Sequence, residues 1–201
     1  MLRTQLVPAI LLTLLASLVL GVAYPFATYG IGQLAFRRQA DGSLISRDNQ
    51  IVGSSLLGQS FTDVSGNPLP QYFQPRPSAA GNGYDATSSA ASNLGPGDPR
   101  LLAAIRDRAA AYRAINHLPG DAAVPIDAVT ASGSGLDPDI SVANADLQSP
   151  RVAAARHLPP DTVAALVRDH TTGRALGFLG ETVVNVVELN LALDQQQPPP
   201  H

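Results

Sequence analysis

From Thr4 to Phe36 not one side chain carries a formal charge. Within that run Leu6 to Phe26 reads LVPAILLTLLASLVLGVAYPF. About 20 such residues, wound as a helix, match the hydrocarbon thickness of a bilayer. Pro8 stands near the start, where a missing backbone N–H costs little, and Pro25 near the end. Tyr24, Phe26 and Tyr29 fall where interfacial aromatics belong, just ahead of Arg37 and Arg38. Two readings fit. A cleaved signal peptide would use Arg3 as its basic end, Leu6 to Leu20 as its apolar middle and Gly21-Val22-Ala23 as its cleavage site. A retained anchor is favoured by Tyr29, Ile31, Leu34 and Phe36, which prolong the uncharged run beyond what export requires. No second apolar stretch of spanning length follows, so a retained helix makes the chain single-pass. Arg3 and the α-amino group on one side nearly balance Arg37, Arg38 and Asp41 on the other, so charge does not choose the orientation.

The rest of the 201 residues suffices for one domain with a real core. The expected organisation is an anchor over 1–36 (span about 6–28), an extramembrane domain over 37–194 and a disordered tail over 195–201. All 13 basic residues are Arg, and with a net charge of −3 and no basic cluster the chain lacks the footprint of a nucleic-acid binder. The absence of Cys excludes a disulfide scaffold, a thiol nucleophile and a Cys-ligated metal.

Asp98-Pro99-Arg100 opens the clearest helix, with Asp98 as cap and Pro99 in the first turn. Its apolar face is Leu101, Leu102, Ile105, Ala109, Tyr112 and Ile115. Residues 51–58 suit a strand and turn, and 75–99 a long loop. A strand is expected over 123–131, a short helix after Ser149-Pro150, another after Pro160, and a strand passing into a helix over 183–193. Helices and strands without a repeating βαβ rhythm give an α+β fold: one transmembrane helix followed by one mixed α/β soluble domain.

Thr130-Ala131-Ser132-Gly133-Ser134-Gly135-Leu136-Asp137-Pro138 is the most conspicuous motif. Its glycines would let backbone N–H groups approach an anion, which makes a membrane-anchored periplasmic small-anion binding module one reading. A tight connection capped by Asp137 or Ser141 is the other. The motif lacks the GK[ST] of a P-loop, and S-G-S-G is not the G-x-S-x-G of a hydrolase. His117, His157, His170 and His201 lack metal-ligand spacing, and Asp137, Asp139 and Asp146 do not form a calcium loop. Tyr72 and Phe73 are expected to pack, and Glu181 to cap an element or pair with an Arg. The residues assign no catalytic group and no metal site.

Taken in order, these segments resemble the C subunit of the bacterial Kdp-type potassium-transporting P-type ATPase, over about Leu6 to Leu193. The blocks after the anchor are Gly53–Phe61, Tyr72-Phe73, Arg76–Ala79, Tyr84–Ala86, Ser92–Pro96, Asp127–Pro138, Gln148 with Arg151–Ala153 and Arg156, Gly180-Glu181 and Val184–Leu193. Asp139 stands where the family usually has His, and Thr182 where it usually has Pro. The resemblance implies a retained helix and a non-catalytic subunit in the bacterial inner membrane. Its partners would be a P-type ATP-hydrolysing subunit, a potassium-channel-like subunit and a small single-helix subunit, besides membrane lipid. It also implies a catalytic chaperone that raises the P-type subunit's affinity for ATP. ATP would be bound jointly with that subunit, with Ser132, Gly133, Ser134, Gly135 and Gln148 as the nucleotide contacts by analogy with ABC signature motifs. The family's large domain is drawn on the periplasmic side. One span cannot place residues 130–148 on both sides of a bilayer, so that side and direct contact with cytosolic ATP exclude each other.

Overall fold

Proline and a missing N–H shape the first unit. In this computed structural model, which describes residues 2–47 and 49–197 with the side chains of Leu2 and Arg3 left aside, the chain divides into Met1–Ser54 and Ser55–His201. Helix α1 (Leu2–Leu18) runs through a π-helical turn at Val19–Ala23 into α2 (Tyr24–Ala35), with Pro25 in the first turn of α2. Thr4–Ala35 forms a 32-residue helical stretch long and apolar enough to cross a membrane, and none of its apolar window is buried within the protein. A short α3 (Arg37–Ala40) leads into an antiparallel hairpin of β1 (Leu44–Arg47) and β2 (Gln50–Ser54), with a register shift between Ile45 and Ser46. Ser54 Oγ donates to Gly42 O at 2.7 Å and ties the hairpin back to the end of the helical segment. The first unit closes after Ser54.

The second unit begins with more than forty residues that contain no named helix or strand, ending at α4 (Pro99–Ile115). Asp98 caps α4 by accepting from Arg100 N at 2.8 Å. Then come β3 (Asp139–Ser141), α5 (Val142–Arg156), α6 (Pro160–Asp169), β4 (Thr171–Thr172), β5 (Val183–Asn185) and α7 (Val186–Gln196). The three strands form one antiparallel sheet in the order β3-β5-β4, with Ile140 opposite Val184. Ser141 Oγ caps α5 through Asn144 N at 3.2 Å, and Asn185 Oδ1 caps α7 through Glu188 N at 3.1 Å. Each cap is the last residue of a strand, so strand and helix are joined without a loop. The core lies where this sheet meets α5, α6 and α7: Phe73, Ile140, Val152, Val163, Val167, Val184, Val186, Leu189 and Leu193 are all 1% exposed or less. This is the α+β fold expected, led by one apolar helix.

Four local expectations change. The 123–131 strand is instead a 3-10 turn at Ile126–Ala128, with Ile126 exposed. Pro125 fixes φ at −57° and cannot donate to a ladder, while Asp127 turns inward to bond Ser141 and Asn144. The helix expected to begin at Pro150 begins eight residues earlier at Val142, and Pro150 sits inside it. The missing Pro150 N–H is tolerated because the neighbouring turns of α5 are fixed by buried Asn144, Gln148 and Arg151. In the tail, Gln195 and Gln196 are helical and Arg156 Nη1 donates to Gln197 O at 2.9 Å, whereas residues 198–201, His201 among them, lie outside the described residues. Leu102, placed on the apolar face of α4, is 42% exposed.

Candidate functional site

A strap, Pro70–Gln74, turns at its start and runs past α5 and α7 outside any strand, with Pro70 exposed and Phe73 fully buried. Its backbone groups still need partners, and side chains supply them. Arg151 donates to Pro70 O and, at 2.9 Å, to Tyr72 O. Arg156 Nε donates to Gln71 O at 2.7 Å. Asn190 accepts from Phe73 N at 2.9 Å and donates to Phe73 O at 3.0 Å. Gln148 does the same for Gln74, accepting at 2.7 Å and donating at 3.1 Å. These four helical side chains stand in for a neighbouring strand.

The same residues continue into a polar network. Asn144, Gln148 and Arg151 follow at four and three residues along one face of α5. Gln148 Nε2 also donates to Asn144 Oδ1, and its Oε1 accepts from Arg151 Nη2 at 2.7 Å. Asn144 donates to Asp127 Oδ2 and accepts from the Tyr112 hydroxyl, both at 2.9 Å, and Arg151 Nε donates to Asn116 Oδ1. Burial lowers the Arg151 guanidinium to about 10, so it remains a cation at neutral pH. Burial, then the charge of Asp127, pushes the Tyr112 phenol above its usual range. Arg156, 1% exposed, pairs with Asp194 at 2.6 Å and lies 4.8 Å above the Tyr72 ring. Tyr72 and Phe73 pack as expected, Tyr72 against Phe61 at 5.2 Å between centroids.

The residues expected to touch nucleotide fall in two places. Gln148 is 1% exposed and its amide is occupied by Gln74, Asn144 and Arg151, so a ligand reaching it would have to displace the strap or Arg151. Ser132, Gly133, Ser134 and Gly135 form a turn whose hydroxyls accept from their own backbone: Gly135 N to Ser132 Oγ at 2.9 Å and Leu136 N to Ser134 Oγ at 3.1 Å. Ser78 Oγ and Ala90 N hold the carbonyls of Gly135 and Ser134. Gly135 has φ +69°, and a Cβ there would meet Ala90 O at 2.5 Å and Ala80 N at 2.8 Å. Gly133 has open space around it. Asp137 caps the exit of this turn through Asp139 N, and it pairs with Arg76 at 2.9 Å.

A cavity of about 640 Å³ opens beside α4, lined by Pro75, Arg76, Tyr84, Arg108, Tyr112 and Ile115 among others, and by neither Gln148 nor Ser132–Gly135. Burial, then the charge of Asp137, raises the Tyr84 phenol, whose hydroxyl donates to Arg76 O at 2.8 Å. His117 and His157 end helices in the left-handed region at φ +54°, and Glu181 pairs with Arg174 at 2.8 Å in solvent. No cluster of three or more His, Asp or Glu among the described residues could hold a metal ion. Sequence reading gave no role to Asn144, Arg151, Arg156 or Asn190. The polar spacing of 144, 148 and 151 on one helix face was the available signal.

One apolar helix, then an α+β unit whose buried polar side chains grip their own backbone, defines a membrane-associated chain with an α+β domain. The chain belongs to the family described as "K+-transporting ATPase, c chain" (KdpC), whose model matches residues 6–195. It is similar to a potassium-transporting ATPase KdpC subunit of Mycobacterium tuberculosis, 54% identical over 193 residues, 96% of this chain and 99% of that one. It is likewise similar to the subunit of that name in Kineococcus radiotolerans, 54% identical over 191 residues (94% and 92% of the two chains). A third, in Caulobacter vibrioides, is 51% identical over 197 residues (98% and 95%).

Proposed function

We propose that this chain is the accessory, non-catalytic subunit of a high-affinity, ATP-driven potassium uptake complex in a bacterial inner membrane. It stabilises that complex and raises the affinity of the P-type ATP-hydrolysing subunit for ATP. A potassium-channel-like subunit and a small single-helix subunit are its other partners. The observation that carries the reading is the family match from residue 6 to 195, which takes in the apolar helix and nearly all of the α+β unit together.

The effect on ATP is proposed to be indirect, exerted from the outer side through a partner whose two states the domain holds differently. The inward engagement of Gln148 and of the Ser132 and Ser134 hydroxyls supports this over direct nucleotide contact, and over a small-anion site at the same turn. Joint binding of ATP through Ser132, Gly133, Ser134, Gly135 and Gln148 would need the domain on the cytosolic side. A reporter fused after residue 60 tests the side: periplasmic activity is expected, and cytoplasmic activity reinstates direct contact. Removing the chain should abolish potassium-limited growth and complex assembly; unchanged high-affinity uptake would sink the assignment.

A further inference from the structure

We propose that the cavity beside α4 binds a small organic anion, a single carboxylate on an apolar body, held by the guanidinium of Arg108. The site is separate from the Ser132–Gly135 turn and from Gln148, neither of which lines it. It does not rest on the proposed role in potassium uptake.

Helical spacing builds one wall. Arg108, Ala111, Tyr112 and Ile115 stand at i, i+3, i+4 and i+7 of α4, which puts them on one face, and all four line the cavity. The loop that carries Pro75, Arg76 and Tyr84 lines it as well. Alanine, isoleucine, proline and two tyrosine rings make this space largely apolar. Its volume, about 640 Å³, falls within the roughly 300–1,000 Å³ typical of small-molecule sites. Both tyrosine hydroxyls are already engaged, Tyr84 with Arg76 O at 2.8 Å and Tyr112 with Asn144 Oδ1 at 2.9 Å. Their rings are what remains for a ligand body to pack on.

Charge then selects the ligand. Among the described residues, the cavity lining holds two arginines and no acid. Arg76 has its counter-charge in Asp137 at 2.9 Å. Arg108 has none: it is half-buried, its Nη1 donates to Val129 O at 3.0 Å, and no carboxylate among the described residues pairs with it. Arg76 Nε is also buried without an acceptor. The walls are therefore rich in N–H donors and short of acceptors. A planar carboxylate supplies two acceptor oxygens in the geometry that a guanidinium fork matches. Partial burial strengthens the attraction by lowering the effective dielectric. A polyphosphate would bring more charge than the one unmatched cation balances, and a metal cation would be repelled.

The test uses the full chain in detergent, with para-trifluoromethylbenzoate as the probe and the neutral para-trifluoromethylbenzamide as its control. Fluorine NMR reads binding as line broadening beyond that in detergent alone. The benzoate is expected to broaden and the benzamide to broaden far less. Arg108→Gln should weaken benzoate binding about tenfold or more while the melting temperature holds. Ala111→Trp fills the cavity from an exposed position of α4, leaves both arginines in place, and should abolish the broadening. Equal broadening of benzoate and benzamide overturns the proposal, as does benzoate broadening no greater than in detergent alone. So does undiminished benzoate binding in Ala111→Trp or in a folded Arg108→Gln chain.

Discussion

Asn190 and Phe73 are paired as two residues of adjacent β-strands would be, although one lies on a helix: Phe73 N donates to Asn190 Oδ1 at 2.9 Å and Asn190 Nδ2 to Phe73 O at 3.0 Å. Both residues are buried, so neither backbone group has water to fall back on. Asn190→Ala removes both partners at once and is expected to destabilise the folded chain by about 2–4 kcal/mol. Asn190→Asp keeps the acceptor but turns an oxygen toward Phe73 O, and should fare no better. Thermal unfolding of the full chain in detergent measures both.

Gln148 serves the strap in the same way one residue further on. Gln148→Ala should cost about 2–3 kcal/mol of stability, because the N–H and C=O of Gln74 and one donor of Arg151 lose their partner. The dependence of complex ATPase activity on ATP concentration should be unchanged in the fraction that assembles. A Gln148→Ala complex of normal stability with weakened ATP affinity would contradict the strap role.

The two glycines of the Ser-Gly-Ser-Gly turn should behave oppositely. Gly135→Ala places a Cβ against Ala90 O and Ala80 N at φ +69° and is expected to destabilise by about 2–4 kcal/mol. Gly133→Ala enters open space and should stay within about 0.5 kcal/mol of the parent. Equal losses at both positions, read as melting temperatures, would mean that the turn is not built as described.

Asp139 is held above its ordinary carboxylate range, first by burial and then by the charges of Asp137 and Glu188. The folded chain therefore binds this proton more tightly than the unfolded chain does. That preference favours the fold below about pH 4, the unperturbed value, and is lost as pH rises through the folded value. Asp139→Asn should gain on the parent as pH rises from 4 to 7, with the difference closing again in acid. Paired melting curves across that range decide it.

Arg156 joins α5 to Asp194 on α7, to the strap at Gln71 O and to Gln197 O, while its guanidinium lies over Tyr72. Asp194→Asn leaves a buried cation without its counter-charge and is expected to cost about 3–5 kcal/mol. Arg156→Lys keeps the charge but cannot reproduce the planar fork, so most of that loss should recur. Urea midpoints of the full-length variants are the measurement.

What the sequence made legible follows the range of the forces involved. Asp98-Pro99, Pro160 and the β-branched run at 183–187 act on their own neighbours, and α4, α6 and the β5–α7 junction stand where local rules put them. Pro150 misled because its local meaning, a helix start, gave way to burial of the turns around it. The 123–131 segment looked like a strand by its Val and Ile, yet Asp127 is drawn to Ser141, fourteen residues on. Tyr72 and Phe73 could be read as packing residues, but the strap's backbone pairing could not, since those partners lie 74 to 117 residues away. The glycine-serine turn was visible as a motif, but only geometry reveals that Ser132 and Ser134 face their own amides.

The strap also sets a timetable. Phe73 cannot find its partner until Asn190, 117 residues later, has been made. Contacts of such separation form late because the intervening chain must first be brought together. The apolar helix, by contrast, is complete once Ala35 has emerged, with all of the α+β unit still to be synthesised. A ribosome making this chain therefore delivers the apolar helix long before it delivers a folded domain. The domain closes only after its last helix arrives, so a message cut short near its end yields an open chain, ready for proteolysis.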